Sequence, residues 1–142
     1  MTSIGINGVL ETCLYAEDLD RAEQFYQSIL GLELVMKSEG RHLFFRCGQG
    51  MLMLFQPETT LENEWKMGGN IVPSHGATGP GHVAFSVDQS QIPAWRDWLK
   101  QNKVEIESEV DWPAGARSIY FRDPANNSLE LASPVIWKLD EG

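Results

Sequence analysis

The chain repeats itself, and that constrains its fold more than any other feature. Arg41-His42-Leu43-Phe44-Phe45-Arg46, a glycine-containing turn and Leu52-Met53-Leu54-Phe55-Gln56-Pro57 make one block. Arg117-Ser118-Ile119-Tyr120-Phe121-Arg122, the turn Asp123-Pro124-Ala125-Asn126-Asn127 and Leu129-Glu130-Leu131-Ala132-Ser133-Pro134 make its partner. Upstream, Val9 to Tyr15 lies over Pro80 to Ser86. Internal similarity of this kind marks a supersecondary unit used twice.

Each copy begins with a short strand pattern and continues into a helical one. Leu19, Ala22, Phe25, Tyr26 and Ile29 recur at helical spacing, with an expected capping box at Asp20 and Glu23 and a stop at Gly31. Ile92, Trp95, Trp98 and Leu99 repeat the pattern, with Ser90 as the expected cap and Asn102 as the end. The expected strands are near 8–16, 32–39, 41–47 and 50–57, then 80–87, 103–110, 115–122 and 127–133. The reading is α+β: one domain of two βαβββ modules, about 8–57 and 80–134, forming a cupped, mostly antiparallel eight-stranded sheet. Residues 58–79, rich in glycine, are expected to be a connecting loop.

At 142 residues the chain is long enough for a real core. Its formal charge of −9 repels phosphate backbones, so nucleic acid is not an expected partner. No apolar run reaches the ~20 residues that span a bilayer, and Met1 to Gly8 does not read as a signal peptide. The cytoplasm is therefore the expected compartment. Cys13 and Cys47 form no metal or redox motif and are expected to be reduced and mostly buried.

Strand alternation selects the chemistry. Glu11 shares a face with Cys13 and Tyr15; His82 shares one with Ala84 and Ser86. Met53 and Glu130 point the same way in the closing strands. Superposing the repeats makes Glu11 equivalent to His82, and Met53 equivalent to Glu130. Taken singly, a strand glutamate is usually solvated and a strand histidine usually a hydrogen-bonded core residue. Three metal-competent groups at three of four symmetry-linked inward positions argue instead for a divalent-metal site made of Glu11, His82 and Glu130, with Zn, Ni, Mn, Mg or Fe all compatible. Such a site forms within one chain or across two. His75, in Pro73-Ser74-His75-Gly76, is a candidate proton carrier or ordinary loop histidine. Arg117, Tyr120 and Arg122 are candidates to hold a substrate, with ion pairing the other role for the arginines. Trp65 and Trp112 are candidate pocket walls.

With those residues in view, the chain resembles the vicinal-oxygen-chelate superfamily of glyoxalases, bleomycin-resistance proteins and extradiol dioxygenases. The resemblance runs from residue 8 to residue 134. It rests on Leu14-Tyr15-Ala16-Glu17-Asp18-Leu19-Asp20-Arg21-Ala22-Glu23-Gln24-Phe25-Tyr26, on Gly81-His82-Val83-Ala84-Phe85, and on the hairpin from Tyr120 to Leu131, where Asn126 replaces the usual glycine. It implies a glyoxalase-like fold, a homodimer, and ligands at Glu11, His82 and Glu130, with Met53 at the fourth place and in contact with substrate. It further implies a lyase or isomerase acting on a small molecule with vicinal oxygens, with Glu11 and Glu130 as catalytic groups; His75 joins them as a candidate from its place in the loop alone. A metal-free antibiotic-binding resistance protein and an Fe(II) dioxygenase are the alternatives.

Overall fold

The structure is a computed structural model that describes residues 4–62 and 65–139. It divides between Ala77 and Thr78 into two compact units.

In the first unit, β1 (Glu11–Tyr15), β2 (Glu33–Ser38), β3 (His42–Cys47) and β4 (Gly50–Phe55) form a sheet in the order β1-β4-β3-β2. The pairing of β1 with β4 is parallel and the other two are antiparallel. Helix α1 (Leu19–Gln24) and a π-helical turn at Phe25–Ile29 join β1 to β2. Asp18 caps α1, its carboxylate accepting from the Arg21 amide at 3.1 Å. The expected cap at Asp20 is two residues too late, because Asp18 keeps extended backbone while Asp20 is already helical. Gly31, at φ +69°, ends the segment as expected, and the Leu32 amide bonds back to the Tyr26 carbonyl at 3.0 Å.

The stretch 58–79 is more ordered than a loop. It holds α2 (Pro57–Glu62) and a small hairpin, β5 (Trp65–Met67) with β6 (Asn70–Val72). The Gln56 side chain receives the Thr59 amide at 2.7 Å and so starts α2. Gly68 and Gly69 both take positive φ, the backbone that a tight hairpin turn demands.

The second unit repeats the plan. Strands β7 (His82–Ser86), β8 (Ile106–Asp111), β9 (Arg117–Arg122) and β10 (Ser128–Ala132) lie in the order β7-β10-β9-β8, with β7 and β10 parallel. The repeat extends to its irregularities. A bulge falls between Leu34 and Met36 in β2, and another between Ile106 and Ser108 in β8, each opposite the same position of the neighbouring strand. Helix α3 (Ile92–Gln101) follows a 3₁₀ turn at Gln89–Gln91. Ser90 lies inside that turn and is not the cap; Asn102 does end the helix.

One face of each sheet forms a core with its helices. Tyr26, Leu43, Phe45, Leu52 and Leu54 are buried in the first unit, and Ile92, Leu99, Ile119, Phe121, Leu129 and Leu131 in the second. The strand residues among them sit at the alternate positions that the sequence pattern marks as apolar, and Tyr26, Ile92 and Leu99 at helical spacing. Among the described residues, no helix is long and apolar enough to cross a membrane.

Candidate metal centre and its cleft

The other face of the second sheet carries the chemistry. His82 opens β7 and Glu130 is central in β10, where the parallel register sets Ser128 beside His82 and Ala84 beside Glu130. The turn before β10 fixes this register. Asn126 takes φ +70°, and Asp123 Oδ1 accepts the amides of Ala125 and Asn127 at 3.0 and 2.8 Å. Asn127 Oδ1 then accepts the Gly81 amide at 2.8 Å, tying the residue before His82 to the hairpin. Asn126 thus does the work of a glycine, as a residue tolerant of left-handed backbone can.

His82 Nδ1 lies 2.9 Å from the Ser128 carbonyl oxygen. A carbonyl only accepts, so Nδ1 carries the hydrogen and a neutral ring keeps its lone pair on Nε2. That Nε2 lies 3.3 Å from Glu130 Oε1. Two lone-pair atoms facing each other need a proton or a cation between them. Glu130 itself is 7% exposed. Its Oε2 accepts the Ser118 hydroxyl at 2.5 Å, and Ser118 Oγ accepts the Trp112 indole N–H at 2.9 Å. The chain Trp112–Ser118–Glu130 therefore orients the carboxylate from behind and leaves Oε1 toward the imidazole. Carbonyl-held histidine and hydroxyl-held carboxylate are the supports that metal-ligating side chains require.

Tyr120 lies opposite Glu130 in the antiparallel register, its ring stacked over that of His82 at 6.3 Å. Burial, the Glu130 charge and a hydrogen bond to Glu130 push its phenol up, while a hydrogen bond to Ser118 works the other way. Tyr120 therefore stays a neutral donor at physiological pH. Beside Glu130 and Tyr120 opens a cleft of about 730 Å³, bordered by Trp112 and by the C-terminal segment Pro134 to Leu139.

Glu11 stands in the first unit as the exposed opening residue of β1, in register with Met51 as His82 is with Ser128. Met53 is 9% exposed, between Cys13 and Phe44 in the register. His75 Nδ1 lies 2.7 Å from the Tyr15 hydroxyl, with its ring edge-on to Phe55 at 4.5 Å. Among the described residues no three His, Cys, Asp or Glu side chains gather closely enough to hold a metal ion. His82 and Glu130 are the two expected ligands brought together.

Both arginines are occupied. Arg117 Nε reaches Asp111 at 2.7 Å, and Arg122 makes a two-pronged bond to Glu107 at 2.8 and 3.1 Å. Cys47 is half-buried, but Cys13 is exposed, against expectation, because it shares the polar face of β1 with Glu11. Burial and then the Glu11 charge push its thiol up. The Trp65 side chain lies outside the described residues.

Sequence reasoning missed Ser118, the indole of Trp112 as a donor, and the C-terminal segment. Ser118 shares alternation with Tyr120 and so had a signal; the donor role of Trp112 had none. Ser118→Ala is expected to weaken divalent-metal binding by about 10–100-fold. It also costs about 1–3 kcal/mol of stability, since the Glu130 and Trp112 atoms lose their partner. Titration calorimetry and urea unfolding check the two effects separately. Unchanged affinity would deny Ser118 its orienting role.

Comparison with known proteins agrees with this architecture. The Glyoxalase/Bleomycin resistance protein/Dioxygenase superfamily matches residues 8–131. The "Metallothiol transferase FosB" of Staphylococcus epidermidis is 31% identical over 127 residues, covering 89% of this chain and 81% of that protein. Lactoylglutathione lyase from Agrobacterium tumefaciens superposes with a TM-score of 0.88 at 38% identity, over 94% of this chain and 98% of that one. The fosfomycin resistance protein FosX from Listeria monocytogenes, solved with Mn(II), shares the fold with a TM-score of 0.66 at 23% identity, over 91% of each chain. With its repeat, its strand order and these matches, the chain belongs to the Glyoxalase/Bleomycin resistance protein/Dioxygenase superfamily.

Proposed function

We propose that the protein is a divalent-metal-dependent enzyme of lyase or isomerase type, acting on a small molecule with two neighbouring oxygens. One observation carries this: the imidazole Nε2 of His82 and the carboxylate of Glu130 face each other at 3.3 Å, each braced from behind. An imidazole nitrogen and a carboxylate oxygen so placed suit a divalent ion. Glu11 is the third ligand in this reading, supplied by the same chain or by a second copy in a homodimer. The similarity to lactoylglutathione lyase supports the lyase or isomerase class, and the similarity to metallothiol transferases favours thiol transfer as a second reading.

A bound Zn, Ni, Mn, Mg or Fe ion supplies Lewis-acid stabilisation of negative charge on a substrate oxygen. The chain supplies the rest. Tyr120, kept protonated, donates a hydrogen bond to an oxygen at the cleft. Glu11 or Glu130 serves as the base for a proton beside that oxygen. Tyr15 orients His75 through Nδ1 and leaves its Nε2 to exchange a proton. Met53, at the position equivalent to Glu130, gives substrate an apolar thioether contact. Arg117 and Arg122 are left to brace β9 through their ion pairs.

The test uses metal-stripped protein resupplied with each ion. It is offered lactoylglutathione, the compound in one relative's name, and separately fosfomycin with a thiol. Turnover of either that requires the ion and stops with chelator supports a metalloenzyme, and the substrate used selects the class. A ligand bound equally with and without metal, and never turned over, would make this a binding and resistance protein instead.

A further inference from the structure

We infer that the cleft of the second unit selects substrates with a flat apolar substituent, and that Trp137 is the residue that reads it. The inference deepens the metalloenzyme reading and rests on it for the polar end of the ligand.

The cleft lining is of two kinds. Glu130 and Tyr120 provide polar groups, and Trp112, Pro113, Val135 and Trp137 provide apolar walls. At about 730 Å³ it is far larger than a two- or three-carbon substrate needs and matches the usual size of a small-molecule pocket. Its outer wall is a turn held in place by its own bonds. The Ser133 hydroxyl accepts the Val135 amide at 3.2 Å, and the Lys138 and Leu139 amides bond back to Val135 and Pro134 at 2.9 and 3.1 Å. Lys138 takes φ +60° and closes the turn. This local order presents Trp137 to solvent at 77% exposure, although it borders the cleft. An indole on a fixed turn offers a large flat face at little entropic cost to a ligand that covers it.

Charge narrows the ligand further. Among the described residues, Glu130 and Lys138 are the charged side chains that line the cleft, and Lys138 belongs to the C-terminal turn. Arg117 and Arg122 are spent on Asp111 and Glu107. Among the described residues, no guanidinium lines the cleft to meet a phosphonate or a second carboxylate. The chemistry that fits is a pair of neighbouring oxygens carried on an aryl or bulky apolar group, with no added anionic charge.

Hydroxamates test this, because acetohydroxamate and benzohydroxamate present the same two oxygens on a methyl or a phenyl group. Calorimetry on Mn(II)-loaded protein is expected to show the phenyl compound binding about 10–100-fold more tightly, the range given by burying one aromatic ring. Trp137→Ala should reduce that ratio at least several-fold and leave acetohydroxamate affinity unchanged. Trp137 is exposed, so its loss should not unfold the chain, which a melting curve verifies. Trp98→Ala, on the outer face of α3, should keep the full ratio. Equal affinity for the two compounds, or a ratio indifferent to Trp137, would overturn the inference while leaving metal dependence intact. So would a Trp137→Ala chain whose only change is its oligomeric state, since a second copy would then occupy the cleft. A phenyl preference that persists without metal would sustain the cleft and sink the metalloenzyme reading instead.

Discussion

Glu130→Gln is expected to abolish stoichiometric divalent-metal binding without unfolding the protein. The substitution keeps the shape of the side chain and an oxygen to receive the Ser118 hydroxyl, which stands 2.5 Å away. It removes the negative charge that faces His82 Nε2. Loss of an outer-shell support commonly costs 10–100-fold in affinity, and loss of a direct anionic ligand should exceed that. Metal-dependent turnover should fall with it. The metal-free variant should melt at or above the temperature of the metal-free wild type, because a largely buried carboxylate is costly to desolvate and an amide less so. Calorimetric titration reads the first effect and thermal melting of the chelated proteins the second. A Glu130→Gln chain that binds one ion as the wild type does would remove Glu130 from the centre.

Phe121→Ala is expected to be the most damaging single core change in the second unit, costing about 3–5 kcal/mol. Phe121 is fully buried and lies between Ile106 on β8 and Leu129 on β10 in the ladder. Phe45 holds the same place in the first unit, between Leu34 and Leu52, and is equally buried. Phe45→Ala should therefore cost a similar amount, on the symmetry argument alone. Urea unfolding curves measure both. A cost under about 1 kcal/mol in either would mean that the site collapses around the lost ring, outside the range seen for such truncations.

The architecture was legible because strand alternation is a strong signal and the chain carries it twice. Leu52 and Leu54 against Leu129 and Leu131, and Phe45 against Phe121, mark the same buried face in both sheets. That His82 and Glu130 share one face of the second sheet followed from that alternation with no further information, and the two side chains do meet. Finer features were set by competition that a linear pattern does not display. Asp18 and Asp20 are both acceptable caps in sequence, and backbone geometry selects Asp18. Glycines at 68 and 69 suggested a loop, yet their left-handed backbone makes the turn of a hairpin. Cys13 was expected to be buried as cysteines usually are, but alternation with Leu14 sends it to the other face.

The contacts behind Glu130 were harder still to read. Ser118 meets Glu130 across two strands, and Trp112 meets Ser118 across a short 3₁₀ turn at Pro113–Gly115. The Ser118–Glu130 contact depends on the register of β9 with β10, which the turn at Asp123 to Asn127 fixes, and the Trp112–Ser118 contact on the turn between β8 and β9. For Arg117 and Arg122 the sequence left substrate contact and ion pairing both open, because their partners, Asp111 and Glu107, lie on β8 and are brought close by the bulged pairing of β8 with β9.

The central claim is that His82 and Glu130 are two donors of one divalent-metal site. Calorimetric titration of metal-free protein with Mn(II), run in parallel on His82→Ala, tests it most directly. One ion bound per chain in the wild type, and none at the same concentrations in the variant, is the predicted result. No binding heat in the wild type, or an ion held equally well without the imidazole, would contradict it.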